Sequence, residues 1–310
     1  MAHDETAARR DRALGAFMGL AVGDALGTTI EFSRRDSTPP VTDMIGGGPF
    51  GLKPGEWTDD TSMALCLADS LVVNDGDLDP LDLAQRFLRW WKQGENSVTG
   101  RCFDIGNATR SALAAFARTG TPRGDDHPHA AGNGGVMRLA PAALAAKGDA
   151  ARAVFLSRAQ SEVTHAAAEC LDAAEALALV LNAGILGDGK AALDAAAGAR
   201  LSAPKVAAVA AGSWRGRSRA TIRSTGYVVD TLEASLWAVS GSDSFEEAVL
   251  KAVNLGADRV GVVTGQIAGA VWGLAAIPER WRRTIAWRDR LVAKADTLWG
   301  APQVQPPGDP

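Results

Sequence analysis

Two rows of glycine constrain this chain's fold more than any other feature. Glycines stand at 15, 19, 23 and 27, and again at 261, 265, 269 and 273. A four-residue step places each set along one row of an α-helix, where the missing side chains leave a bare ridge. Glycine inside a helix is about 1 kcal/mol worse than alanine, so each row needs an offsetting gain. Close approach of these helices to core neighbours, or to each other, supplies it by the logic of small-residue packing.

The rest of the pattern is helical too. Leu14, Phe17, Met18, Ala21, Val22 and Ala25 fall at i, i+3, i+4, i+7, i+8 and i+11, forming one apolar face. Residues 61–73 are apolar nearly all round, as befits a helix inside a bundle. The spacing predicts further helices over 81–92, 107–117, 139–146, 149–159, 166–183, 190–197, 229–239, 244–253, 260–275 and 280–298. Alternating β-branched runs with hairpin turns do not appear. The expected class is therefore all-α, one compact multi-helix domain over 1–300 followed by a disordered tail over 301–310. The connectors 33–57, 93–105 and 119–136 are rich in Gly, Pro, Asp and Asn, and binding residues are expected there.

Composition narrows the function classes. A net charge of −4 with 22% charged residues gives no basic face for nucleic acid. Arg215, Arg217, Arg219 and Arg223 crowd one stretch but have only Trp214 beside them, so a solvated face is expected. Residues 260–278 carry no charge over nearly the length of a membrane span. Four glycines, Thr264 and Gln266 in that run favour a buried core helix, so no membrane partner is expected. Cys66, Cys102 and Cys170 are odd in number and widely spaced, which speaks against a disulfide framework or zinc knuckle. With a polar, charged N-terminus, the expectation is a cytoplasmic protein, taken as a monomer.

Three segments could carry chemistry. Thr58-Asp59-Asp60-Thr61 precedes the apolar helix; one of these residues serves as an N-cap, but a cap does not explain four. Adjacent carboxylates and hydroxyls are the hard oxygen ligands that Mg²⁺, Mn²⁺ or Ca²⁺ prefer. Asp258 opens the second glycine-ridged helix, as a cap or as a further metal ligand. Gly132-Asn133-Gly134-Gly135-Val136-Met137-Arg138 leads into a helix with free backbone N–H groups suited to a diphosphate. Asp125-Asp126-His127-Pro128-His129 has metal-like composition but is expected to be a surface loop.

Together these segments resemble the ADP-ribosylglycohydrolases, and in particular the bacterial dinitrogenase-reductase-activating type. The resemblance rests on Gly23-Asp24-Ala25-Leu26-Gly27 with Glu31-Phe32, Trp57 to Thr61, Phe103-Asp104-Ile105-Gly106-Asn107, and Gly132-Asn133-Gly134 with Met137-Arg138. Thr164-His165, Gly226 to Glu233 and Asn254-Leu255-Gly256 complete it. It implies an all-α fold around a dinuclear Mg²⁺ or Mn²⁺ site, and hydrolysis of the glycosidic link between ADP-ribose and a protein side chain, often arginine. The substrate implied is an ADP-ribosylated protein or a small molecule containing ADP-ribose.

By position in those motifs, Thr58, Asp59 and Asp60 resemble metal ligands, and Asp104 the acid/base or water-orienting carboxylate. Glu31 corresponds to the loop that covers the ribose. Asn133, Gly134, Gly135 and Met137 resemble the diphosphate cradle, Tyr227 a nucleotide contact, and His165 either a pocket-lining or a structural residue. One motif departs from the family. Where relatives read Asp-x-Asp followed by Thr or Ser, this chain reads Gly256-Ala257-Asp258-Arg259-Val260-Gly261, two residues shorter. Arg259 stands where a ligand is expected, so one ion rather than two is the expectation. The readings left open are a hydrolase, a binding module that keeps the ADP-ribose pocket without turnover, and a structural role like that of certain lens crystallins.

Overall fold

The computed structural model describes residues 2–256 and 259–300. Asp258 and the segment 301–310 lie outside the described residues. Those described form fourteen α-helices with short 3₁₀ turns and no strand, only isolated bridges. In chain order the helices are α1 (Ala2–Gly27), α2 (Asp59–Val73), α3 (Pro80–Gln93), α4 (Asn107–Thr119), α5 (Gly134–Met137), α6 (Ala140–Ala145) and α7 (Ala150–Glu162). They continue with α8 (Ala168–Leu186), α9 (Pro204–Ala210), α10 (Val228–Ser240), α11 (Phe245–Val253), α12 (Val260–Trp272), α13 (Glu279–Thr284) and α14 (Arg288–Trp299). The fold is all-α and one domain, as expected.

The two glycine rows face each other. A Cβ on Gly15 would lie 2.5 Å from the carbonyl oxygen of Gly269, and Cβ atoms on Gly19 and Gly23 would overlap the carbonyl oxygens of Gly265 and Gly261. The reverse holds from α12, where Gly265 and Gly269 meet the carbonyls of Gly19 and Gly15. Backbone therefore packs directly on backbone along α1 and α12, and no other residue fits between them. Gly27 stands apart, with open space where a side chain would go. Gly273 serves a different end: at φ +85° it terminates α12, a conformation glycine adopts without strain.

Several boundaries differ from the sequence expectation, each for a local reason. The polar segment before Leu14 continues α1, with Asp4 and Glu5 in its first turn favouring the helix dipole. Residues 190–197 form instead a 3₁₀ turn, Gly189–Asp194. The stretch 280–298 is broken in two, because Ile285 is extended and Trp287 takes φ +53° before α14 begins. Helix α9, absent from the expectation, starts on Pro204, whose fixed φ suits a first helical position. The stretch from Asp4 to Ile30 is long and apolar enough to cross a membrane, yet 83% of its apolar 18-residue window is buried inside the protein. Helix α12 is likewise a core helix. Arg215, Arg217, Arg219 and Arg223 each pair with a carboxylate.

Candidate active site

The contact between α1 and α12 delivers one end of each helix to the N-terminus of α2. There Asp24, on α1, accepts four hydrogen bonds: from Thr58 N at 3.0 Å, Thr58 Oγ1 at 2.8 Å, Thr61 N at 2.9 Å and Thr61 Oγ1 at 2.7 Å. Burial pushes this carboxyl up, and the four donors pull it back. Asp24 thus anchors the Thr58–Thr61 segment to α1. Thr58 does not cap its own helix. Its hydroxyl lies between Asp24 and Asp60 Oδ2, the latter at 3.0 Å, and one hydroxyl proton cannot serve two carboxylates.

Asp59 and Asp60 are buried, about 1% and 2% exposed. Among the described residues, Asp59 Oδ1 has no hydrogen-bond partner. Burial drives the Asp59 carboxyl well above its ordinary range, Arg259 opposes the rise, and Asp104 adds to it. Arg259, at φ +68°, turns inward: Nη1 lies 3.0 Å from Asp59 Oδ2, 3.4 Å from Asp60 Oδ1 and 2.8 Å from Met137 Sδ, and Nη2 lies 3.3 Å from Asp104 Oδ2. Its side chain is 8% exposed. Asp104 takes φ +57°, rare for a residue with a side chain, and burial pushes its carboxyl up to about 9 against Arg259, with Glu31 raising it further. Glu31 is itself buried. Three carboxyls therefore converge on one guanidinium, with Glu31 acting on Asp104 beside them.

From this cluster a cleft of about 330 Å³ runs along Asp59, Arg259, Met137, His165 and the backbone of Gly132, Asn133 and Gly134. It adjoins a second hollow of about 510 Å³, lined by His129, Glu169, Lys205 and Tyr227, across Gly132 and Gly226. Both volumes lie in the range of small-molecule sites. Asn133 is fixed by Gly226 O at 3.1 Å and Thr231 Oγ1 at 3.0 Å. Lys205 Nζ donates to the Tyr227 hydroxyl at 3.1 Å.

The glycines of this loop serve packing as well as access. A Cβ on Gly134 would strike the His165 ring, and one on Gly135 would strike Ser161. Gly135 is absent from the cleft lining and accepts from Gln160 through its carbonyl, so of the expected cradle it is a packing residue. His165 lines the cleft and is also wired into the core. Arg138, fully buried, donates to Thr164 Oγ1 at 2.7 Å, and that hydroxyl is 2.8 Å from His165 Nδ1. Because Arg138 donates to that oxygen, we assign the Thr164 proton to Nδ1 and the ring N–H to Nε2. Burial lowers His165 to about 3, with the Arg138 and Arg259 charges adding, so the ring is neutral.

The structure brings Thr58, Asp59, Asp60, Asp104 and Glu31 together, with Asn133, Gly134, Met137 and His165 beside them and Tyr227 in the adjoining hollow. Asp258 lies outside the described residues. Among those described, no three His, Cys, Asp or Glu side chains are grouped as a metal cage. The loop Asp125–His129 is at the surface, Asp125 Oδ1 accepting from His127 N at 2.9 Å. Asp24 and Arg138 are the site-building residues missed as such, although both stand in motifs legible in the sequence.

The family model for ADP-ribosylglycohydrolases matches residues 5–308. The ADP-ribosylarginine hydrolase Tri1 of Pseudomonas putida (strain GB-1) is 48% identical over 298 residues, covering 95% of this chain and 80% of that protein. The ADP-ribosyl-[dinitrogen reductase] glycohydrolase of Rhodospirillum rubrum is 36% identical, covering 87% and 89% respectively. A solved structure described as an ADP-ribosylglycohydrolase-related protein complex superposes with a TM-score of 0.82 at 43% identity, covering 94% of this chain and 98% of its own. The chain belongs to the ADP-ribosylglycohydrolase family of glycosidic-bond hydrolases.

Proposed function

We propose that this protein removes ADP-ribose from modified arginine side chains of a protein substrate, with the cleft holding the ADP-ribose and the carboxylate cluster doing the chemistry. The observation that carries the reading is the convergence of Asp59, Asp60 and Asp104 on Arg259 at the end of the cleft, with Glu31 beside Asp104. Relatives named as ADP-ribosylarginine hydrolases, at 48% and 44% identity, support the linkage.

Cleavage of a glycosidic bond passes through a state with positive charge on the sugar, and needs a group to move a proton. Asp60 and Glu31 present their carboxylates to that sugar. Asp104 carries the proton at its carboxyl, between the leaving nitrogen and the incoming water. The backbone N–H groups at the start of α5 and the neutral His165 Nε2–H meet the diphosphate from the cleft wall. Three free cysteines suit a reducing cytoplasm.

The donor set also fits one hard divalent cation. Asp59 Oδ1 is buried without a partner among the described residues, and Thr58 Oγ1 is shared by two carboxylates. Thr58, Asp59 and Asp60 would hold Mg²⁺ or Mn²⁺, which would supply a fixed charge for the ribose hydroxyls. Arg259 takes the remaining oxygens, so one ion per chain is the proposal. That same arginine favours a second reading, an ADP-ribose-binding module without turnover.

Incubation with ADP-ribosyl-arginine and ADP-ribosyl-serine peptides, with and without Mn²⁺, decides between the two by released ADP-ribose. Release from the arginine peptide supports the hydrolase, and binding without release supports the module. Elemental analysis of metal-saturated, desalted protein counts the ions, and two full sites would overturn the single-ion proposal.

A further inference from the structure

We propose that Phe32, Phe50 and Phe103 form the subsite that receives the substrate's arginine, their ring faces holding its guanidinium at the mouth of the carboxylate cluster. The inference rests on the arginine reading above and adds where and how that side chain is recognised.

Each outer ring is the chain neighbour of a reactive carboxyl. Phe32 follows Glu31, and Phe103 precedes Asp104. Phe32 takes φ +60° and Asp104 φ +57°. Two left-handed residues that are not glycine, one at each edge of the same cluster, are strain that the surrounding structure must hold. At Phe32 the result is plain: Glu31 is buried while the next ring is 64% exposed. Phe50 joins the other two, its ring centroid 6.1 Å from Phe32 at 78° and 5.1 Å from Phe103 at 57°.

A dedicated loop holds Phe50 there. Gly46, Gly47, Gly48 and Gly51 all have positive φ, and Gly47 and Leu52 exchange backbone hydrogen bonds at 2.7 and 3.0 Å. Thr29 Oγ1 donates to Gly46 O at 3.1 Å, and a Cβ on Gly48 would overlap Thr28 O. The loop is thus clamped to the turn that ends at Glu31. Four glycines in the left-handed region, spent on an aromatic ring that the core does not bury, call for a ligand-facing role.

The chemistry selects the ligand. Aromatic faces carry negative potential, so three rings beside carboxyl oxygens recognise a cation. A guanidinium is planar, delocalised and weakly hydrated, and stacks on such faces where a compact ammonium does so less well. The nucleotide cleft reaches the cluster at Asp59 and Arg259, and Phe32 and Phe103 flank the cluster as the chain neighbours of Glu31 and Asp104. ADP-ribose on one approach and the linked side chain on the other would place the bond between them at the carboxyls. A serine linkage has no charge to use this subsite.

The full-length protein with Phe50→Leu, Phe103→Leu and Phe50→Trp tests the proposal. Leucine keeps apolar bulk but has no ring, and tryptophan keeps the ring. The two leucine variants should lower kcat/KM on an ADP-ribosyl-arginine peptide about ten-fold, mainly through KM, as loss of a cation–π contact would. Calorimetry with free ADP-ribose should show Kd within about two-fold of wild type, and Phe50→Trp should restore KM. Unchanged arginine kinetics in both leucine variants would overturn the subsite while leaving the arginine reading intact. Equal loss of ADP-ribose affinity would overturn it too, by making the rings structural. A wild-type protein that releases nothing from the arginine peptide would sink the arginine reading, and the subsite with it.

Discussion

One guanidinium joins two carboxylates from distant parts of the chain: Arg259 lies 3.0 Å from Asp59 Oδ2 through Nη1 and 3.3 Å from Asp104 Oδ2 through Nη2. It therefore acts as a built-in cation where the family's motif would place a metal ligand. Its charge also reaches Asp60, at 3.4 Å. Without it, the burial that already raises Asp59 and Asp104 would go unopposed.

Arg259→Ala should therefore destabilise the protein in EDTA by about 3–5 kcal/mol, the range for removing one partner of a buried ion pair. Mn²⁺ should recover part of that loss, because the freed carboxylates become ligands. The metal-induced rise in Tm should then be larger in the variant than in wild type. Equal melting temperatures in EDTA would show that the guanidinium does not balance these charges. Asp59→Ala should remove the metal response altogether.

Asp104→Asn keeps the shape of the side chain and removes its proton transfer. Turnover should fall about 10²- to 10⁴-fold, the usual contribution of a positioned acid or base. Affinity for ADP-ribose, measured by calorimetry, should hold. Binding lost along with turnover would make Asp104 a substrate-holding residue.

The helices and most of the site were legible because both are written in local spacing. The four-residue glycine step and the Thr58–Thr61 run are visible without a structure, and each lands where its chemistry points. That the two glycine rows face each other was not legible, since pairing is a property of the three-dimensional fold. The direction of Arg259 was hidden for the same reason: it depends on Asp59 and Asp104, about 200 and 155 residues away in sequence. Asp24 has no role in the sequence beyond its place in the Gly23–Gly27 motif, because nothing local says which backbone it holds. Only the four donors from Thr58 and Thr61 show that it positions the others. The break at Trp287 and the 3₁₀ turn at Gly189–Asp194 carry too weak a local signal against a helical periodicity.

The paired glycine rows invert a general expectation. Gly→Ala inside a helix normally stabilises by about 1 kcal/mol. At Gly19 the new methyl would overlap the backbone carbonyl of Gly265, which cannot rotate away as a side chain could. Gly19→Ala should destabilise by about 1–3 kcal/mol or more, as overpacking does, and Gly265→Ala likewise. Gly27, with open space beyond it, should tolerate alanine and serves as the control. Urea unfolding of the three variants reads the difference, and a neutral Gly19→Ala would refute direct backbone contact.

His165 gives a pH signature that can be separated from the carboxylates. In the folded protein burial holds its ring neutral, with a pKa lowered to about 3, while in the unfolded chain it returns to its ordinary value of 6.5. Below that value the unfolded chain takes up a proton that the fold refuses. Stability must then fall as pH falls from 6.5 toward 3, with a slope of about 1.4 kcal/mol per pH unit once the unfolded ring is protonated. The carboxylates titrate over part of the same range, so the useful quantity is a difference between two proteins. His165→Asn can keep an acceptor for Thr164 Oγ1 but has no titrating ring. Between pH 7 and pH 5 wild type should lose about 2 kcal/mol more stability than His165→Asn, whatever their offset at pH 7. Urea melts at each pH measure this directly. Parallel profiles would mean that the folded ring accepts a proton as readily as the unfolded one, which would undo the assignment of a neutral Nε2–H facing the cleft.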